Sequence, residues 1–97
     1  MIQSFADGPT EDVYDGLDTK RARKALPTDL VAVARRKLDY LDAAVTLDDL
    51  RVPPGNRLEA LKGDREGQHS VRINDQYRVC FVWTEGGPDR VEIVDYH

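Results

Sequence analysis

Arg72 and Arg78 flank a short polar segment, Asn74-Asp75-Gln76, and the stretches Gln68–Ile73 and Tyr77–Trp83 on either side read as the two strands of a β-hairpin. If Asn74-Asp75-Gln76 is a three-residue loop, Ile73 pairs with Tyr77, Arg72 with Arg78 and Val71 with Val79. Side chains alternate along a strand, so His69, Val71, Ile73, Tyr77, Val79 and Phe81 share one face and Ser70, Arg72 and Arg78 share the other. Directly opposed like charges weaken a sheet by roughly a few tenths of a kcal/mol or more. A phosphate between them reverses that sign, because guanidinium forks bind phosphate bidentately. The alternative is that each arginine is paired with a carboxylate, for example Glu92 or Asp95. A tyrosine and a histidine, Tyr96 and His97, end the sequence close by. These residue types point to the binding of an anion.

The elements that must hold this hairpin divide into a helical half and a strand half. Ile2–Phe5 is a short candidate strand, Asp7-Gly8-Pro9 a turn, and Pro9 suits the first turn of a helix running through Val13 and Leu17. Thr19–Leu26 adds a basic helical turn or two. Pro27-Thr28-Asp29 opens the main helix, whose apolar stripe is Leu30, Ala34, Leu38, Leu41 and Val45. Val52-Pro53-Pro54-Gly55-Asn56 closes the helical half. Leu58–Lys62 then leads into Gly63-Asp64-Arg65-Glu66-Gly67, a loop with glycine at both ends. The hairpin follows, then a turn over Thr84–Asp89 and a last strand over Arg90–Tyr96. Short connections favour antiparallel pairing. The economical architecture is α+β, with one helical layer on one face of an antiparallel sheet.

Composition sets limits on function. Ninety-seven residues fit one small domain, spanning 1–97. No apolar run approaches the ~20 residues of a membrane span. Met1–Asp7 lacks the basic start and apolar stretch of a signal peptide. The single cysteine, Cys80, cannot form an internal disulfide, which fits a reducing cytoplasm. One cysteine and two histidines are too few for a typical structural zinc site. The net charge of −4 taken alone argues against a nucleic-acid binder. The acids are segregated, however: residues 20–37 hold seven bases against Asp29 alone, so a locally basic surface could still meet a polyanion.

The stretch Leu61-Lys62-Gly63-Asp64-Arg65-Glu66-Gly67, the Arg72-Ile73-Asn74…Tyr77-Arg78 hairpin and the terminal Asp95-Tyr96-His97 together resemble the HigB toxins, the host-inhibition or "killer protein" branch of the RelE/ParE toxin superfamily. Ile2-Gln3-Ser4-Phe5 and the Pro27 helix with Ala34-Arg35-Arg36-Lys37-Leu38 match that family's layout, so the resemblance spans nearly the whole chain. It implies a RelE-like fold, with an N-terminal strand and two or three helices packed on one face of a curved antiparallel sheet. It also implies the toxin of a type II toxin-antitoxin system, a ribosome-dependent mRNA endoribonuclease that needs neither metal nor cofactor. Its implied partners are the ribosome, mRNA and a helix-turn-helix, HigA-like antitoxin in a heteromeric complex with a dimeric antitoxin, in the cytoplasm and with no membrane role.

The implied reaction is attack of a ribose 2′-OH on the adjacent phosphate, giving a 2′,3′-cyclic phosphate and a 5′-hydroxyl. Arg78 and Arg72 are then the phosphate-binding and charge-stabilising groups. His97 matches the family's terminal catalytic histidine, suited to proton transfer near neutral pH. Tyr96 could stack on a base or donate a hydrogen bond, and Asp95 could orient His97 or tie down the strand end. Lys62 and Arg65 are candidate phosphate ligands, as are Arg35 and Arg36 for ribosomal RNA. Glu59 stands where several HigB toxins carry a histidine; it serves as a general base if its pKa rises, or is a solvated strand residue.

Other residues have plainer readings. His69 reads as a satisfied core or edge histidine, Cys80 as a small strand residue, and Phe81 and Trp83 as core. The basic helical residues read equally as solvated faces, and Lys62–Arg65 as a hairpin loop. Two other functions share the fold: a ParE-like DNA gyrase inhibitor, and a non-enzymatic degenerate member acting as an antitoxin partner. The acidic net charge and Glu59 keep the latter open, and His97 favours cleavage over gyrase inhibition.

Overall fold

The computed structural model describes residues 1–96; His97 lies outside the described residues. Three helices are followed by a four-stranded antiparallel meander of order β1-β2-β3-β4. The helices are α1 (Gly8–Asp15), α2 (Lys20–Ala25) and α3 (Val31–Ala43). The strands are β1 (Glu59–Ala60), β2 (His69–Arg72), β3 (Tyr77–Thr84) and β4 (Gly87–Asp95). The helices pack on one face of the sheet.

Local chemistry sets the helix ends. The Asp7 carboxylate accepts from the Thr10 N–H at 2.9 Å and starts α1. Gly16, left-handed at φ 78°, stops it. Leu17 is therefore outside the helix and 53% exposed, contrary to the expectation that the helix runs through it. Thr19 caps α2 through the Ala22 N–H, and Leu26 turns extended because Pro27 follows. Residues Thr28–Leu30 form a 3-10 turn before α3 begins at Val31. Ala34, Leu38 and Leu41 are fully buried, as the stripe predicts. Its last member, Val45, is 83% exposed, because α3 ends at Ala43 and Ala44 adopts an extended backbone.

The hairpin register follows the sequence reading. Arg72 lies opposite Arg78, Val71 opposite Val79 and Ser70 opposite Cys80. Asn74 Oδ1 accepts from the Gln76 N–H at 2.9 Å and the Tyr77 N–H at 2.7 Å, closing the loop with an Asx turn. Val71, Val79 and Phe81 are fully buried against Leu38, Leu41 and Val91. β1 is shorter than Leu58–Lys62, with only Glu59 and Ala60 paired, opposite Ser70 and His69. β4 begins at Gly87 rather than Arg90, because Thr84 pairs with Gly87 across the tight turn at Glu85-Gly86. Pro88 is tolerated there because β4 is an outer strand of the meander. A bulge between Cys80 and Val82 shifts the β3–β4 register and places Arg90 at φ 52°. Of Ile2–Phe5, only Phe5 forms a bridge, parallel to Val91. The segment is nevertheless laced to β4, from Gln3 N to the Pro88 carbonyl (2.8 Å) and from Val91 N to the Ser4 carbonyl (3.0 Å).

The helical layer carries its own buried charge. Asp12 is only 4% exposed. It accepts from Arg21 Nε (2.6 Å), Arg21 Nη2 (3.0 Å) and Thr19 Oγ1 (2.7 Å), which joins α1 to α2. The Arg21 hydrogen bonds, then that from Thr19, lower its pKa from 3.8 to about 2. A lowered carboxylate pKa stabilises the fold fully above the unfolded value, and that stabilisation is lost as pH falls toward the folded one. Thermal melts of the wild type should therefore show stability falling between pH 4 and pH 2. Asp12→Asn should be less stable at neutral pH and should lack that component of the acid slope.

Candidate functional site

The strand alternation that buries Val79 and Phe81 turns Arg78 to the sheet face away from the helices. Its side chain is only 11% exposed. Arg78 Nε donates to Ser70 Oγ at 2.6 Å, and Nη2 donates to the Arg57 carbonyl at 2.8 Å. Both acceptors are neutral, so they orient the guanidinium without cancelling its charge. The Tyr96 ring centroid lies 5.9 Å from Arg78 Cζ, within cation–π range. Glu59 Oε1 stands 3.9 Å from Nη1, beyond hydrogen-bond distance. A guanidinium carries five donors in one plane, and two contacts leave others for a ligand.

Arg57, which supplies that carbonyl, is left-handed at φ 45°, ψ 59° and follows the 3-10 turn Pro54–Asn56. No residue-type signal in the sequence marks a backbone carbonyl as part of a site. Ser70 is fully buried and opposite Cys80, so its hydroxyl is fixed beneath the arginine.

Arg72 is also on this face, opposite Arg78, and pairs with the exposed Asp75 of the hairpin loop. The alternative that each arginine is paired with a carboxylate is met by partners other than Glu92, Asp75 for Arg72 and, at 3.9 Å, Glu59 for Arg78; Glu92 Oε1 instead accepts from Arg65 Nη1 at 3.2 Å. Register explains the difference. Glu92 lies opposite Cys80, one step along the face from Arg78, and Arg65 reaches it from the loop after β1. Arg65 also donates to Gln68 Oε1 at 3.1 Å and, with Val94, Asp95 and Tyr96, lines a shallow cleft of about 460 Å³. Asp95 Oδ2 accepts from Gln76 Nε2 at 3.1 Å, and the Tyr96 N–H donates to the Gln76 carbonyl at 2.6 Å. The end of β4 is thereby tied to the hairpin loop.

The structure thus brings Glu59, Arg65, Arg72, Arg78, Asp95 and Tyr96 to one region. Lys62 is exposed at the start of the 3-10 turn Gly63–Arg65. Arg35 is not with them: it belongs to the helical layer and lines a cleft of about 360 Å³ with Val13 of α1, Arg23 of α2 and Leu17 of the segment between them. Arg36 is on the same helix, exposed, and acts electrostatically on Lys37 together with Arg72. His97 lies outside the described residues.

The plainer sequence readings divide. Cys80 is fully buried, and burial raises its thiol pKa, so it is held as the neutral thiol. Phe81 is core, and Trp83 packs against the core partly buried. His69 is not the satisfied histidine expected. Its ring stacks on Phe81 at 6.3 Å, but its buried Nδ1 has no hydrogen-bond partner among the described residues.

A family model described as the RelE-like toxin of type II toxin-antitoxin system HigB matches residues 3–97. Toxin HigB-1 of Vibrio cholerae serotype O1 is 44% identical over 86 residues, covering 89% of this chain and 87% of that protein. Endoribonuclease HigB of Proteus vulgaris is 27% identical over 97 residues, covering 100% of both. Among solved structures, the YoeB-YefM complex from Staphylococcus aureus contains a chain with the same fold. It matches at a TM-score of 0.61 and 15% identity, over 100% of this chain and 98% of that one. The chain belongs to the HigB-like toxins, the RelE-like toxins of type II toxin-antitoxin systems.

Proposed function

We propose that this HigB-family toxin is a ribosome-dependent mRNA endoribonuclease whose site is the sheet face around Arg78. The observation that carries the reading is the oriented, nearly buried guanidinium of Arg78, held by the neutral Ser70 hydroxyl and Arg57 carbonyl opposite a second arginine. Such a group costs stability in the free protein and is useful where negative charge builds up. The name of the Proteus vulgaris relative, an endoribonuclease, supports the same reaction class.

In this mechanism the scissile phosphate sits on Arg78, with Arg72 as a second cation once its Asp75 pair opens. The ribose 2′-oxygen attacks phosphorus, and the bond to the 5′-oxygen of the next nucleotide breaks. The products are a 2′,3′-cyclic phosphate and a 5′-hydroxyl. One group must take the 2′-OH proton and another must give a proton to the leaving oxygen. His97 and Glu59 share these two roles, and Tyr96 offers a ring face for a neighbouring base. Arg65 and Lys62 extend the phosphate track, and Arg35 and Arg36 present a separate basic surface to ribosomal RNA. The reaction uses no metal or cofactor. The toxin works in the cytoplasm and is silenced by a HigA-like helix-turn-helix antitoxin, dimeric in a heteromeric complex. The Staphylococcus aureus structure is a complex of YoeB with YefM, and that pairing supports a partner of this kind.

Primer extension in a purified translation system tests the reading. Wild type should cut within translated codons only when ribosomes are present. Arg78→Ala should lower cleavage by about 10²-fold or more, as expected for loss of a preorganised charge-stabilising donor. A chain lacking His97 should be similarly impaired. Intact mRNA with a folded, growth-arresting wild type would overturn the reading and direct assays to DNA gyrase.

Glu59→Gln separates proton transfer from charge pairing. If Glu59 transfers a proton, the rate should fall by about 10²-fold or more and the pH–rate profile should lose one limb. An unchanged profile would leave Glu59 as a charge neighbour of Arg78 alone.

A further inference from the structure

Lys37 is only 7% exposed, although it follows Arg35 and Arg36 in a basic run. It forms no ion pair among the described residues; its ammonium donates to Asn56 Oδ1 at 2.8 Å and lies 5.7 Å from the Tyr40 ring centroid. Burial, then the charges of Arg36 and Arg72, push its pKa below the ordinary lysine value. A lysine is a costly choice for this position, where an apolar side chain would fill the space without desolvating a charge. What lysine provides is a group that can only donate.

That property fixes Asn56, which is fully buried. An asparagine amide has an accepting and a donating end. With Oδ1 committed to Lys37, Nδ2 must face the other way, and it donates to the carbonyls of Leu50 (3.2 Å) and Val52 (3.3 Å). The amide thereby joins α3 to the two 3-10 turns, Leu47–Arg51 and Pro54–Asn56. The next residue is Arg57, whose left-handed backbone aims its carbonyl at Arg78 Nη2.

We propose that Lys37 and Asn56 are positioning residues for Arg78, acting through the Arg57 carbonyl to set the plane of the guanidinium. The contacts form a continuous path from the helical layer to the far face of the sheet: Lys37 to Asn56, Asn56 to the turn, the turn to Arg78. The catalytic meaning of this path rests on the proposed role of Arg78 in phosphate binding; the path itself does not.

The test reads the Arg78 side chain by NMR in the ribosome-free protein, using the Arg78 Nε–Hε cross-peak assigned with Arg78→Lys. Lys37→Met keeps the aliphatic stem and removes the donor. With a dispersed backbone spectrum confirming the fold, this cross-peak should shift and exchange faster with solvent, whereas Lys37→Arg, which still donates, should restore it. In the translation assay, Lys37→Met should lower kcat by about 10- to 100-fold with little change in KM, the signature of a misplaced rather than a missing group. An unchanged Arg78 cross-peak in folded Lys37→Met overturns the proposal. If that variant does not fold, Asn56→Asp, which keeps the Lys37 bond and removes both Nδ2 donors, reads the same cross-peak with the same two outcomes. A responsive cross-peak in a wild type that cuts no RNA would sustain the path and discard the nuclease reading. A cleaving protein with an unresponsive cross-peak would do the reverse.

Discussion

The period of two in the β2–β3 hairpin is the constraint on which the rest depends. Val71, Val79 and Phe81 must all face the helices to be buried, and this alone sends Ser70, Arg72 and Arg78 to the opposite face. A slip of one residue would put both guanidinium groups into the apolar core, so the core and the arginine pair are specified together. The Asn74 side chain fixes the register at the loop, where it holds two consecutive backbone N–H groups.

Two guanidinium groups directly opposed on a sheet need compensation, and the molecule supplies it unequally. Arg72 is paired with the carboxylate of an exposed loop residue, Asp75. Arg78 is nearly buried and held chiefly by a hydroxyl and a backbone carbonyl. The first arrangement is weak and easily exchanged, as exposed ion pairs generally are. The second keeps its geometry, with the Glu59 carboxylate 3.9 Å from Nη1 offsetting part of the charge without a hydrogen bond. The protein therefore has one fixed cation and one releasable one on the same face, and the fixed one is backed by the helical layer through Asn56.

Much of this was legible in the sequence because it depends on local patterns. The alternation around Asn74-Asp75-Gln76 gives the register, and the spacing of Ala34, Leu38 and Leu41 gives the buried face of α3. The less legible parts depend on where elements stop and on backbone atoms. Val45 and Leu17 continue an apolar spacing past the helix ends, and only the extended Ala44 and left-handed Gly16 reveal the break. The Arg57 carbonyl has no side-chain signature at all. Lys37 did carry a signal: it lies three residues after Ala34 and four before Leu41, at the margin of the apolar stripe. Its neighbours Arg35 and Arg36 made it read as one more solvated base. Partners of the charged groups were the least readable, since register and loop placement, not spacing in the sequence, bring Arg65 to Glu92.

The lacing of the N-terminal segment along β4 has a consequence for how this sheet meets other chains. Unpaired strand edges are templates for aggregation and for strand addition by a partner. Here the outer side of β4 is occupied around Pro88 and Val91 by the backbone of residues 3–6. At the other side of the meander, β1 offers a ladder of only two residues. A foreign strand thus finds the first half of the β4 border already occupied and the β1 border too short to template a run of pairing. Self-association by strand exchange is disfavoured, and recognition is left to side-chain surfaces: the basic helices on one side and the arginine face on the other.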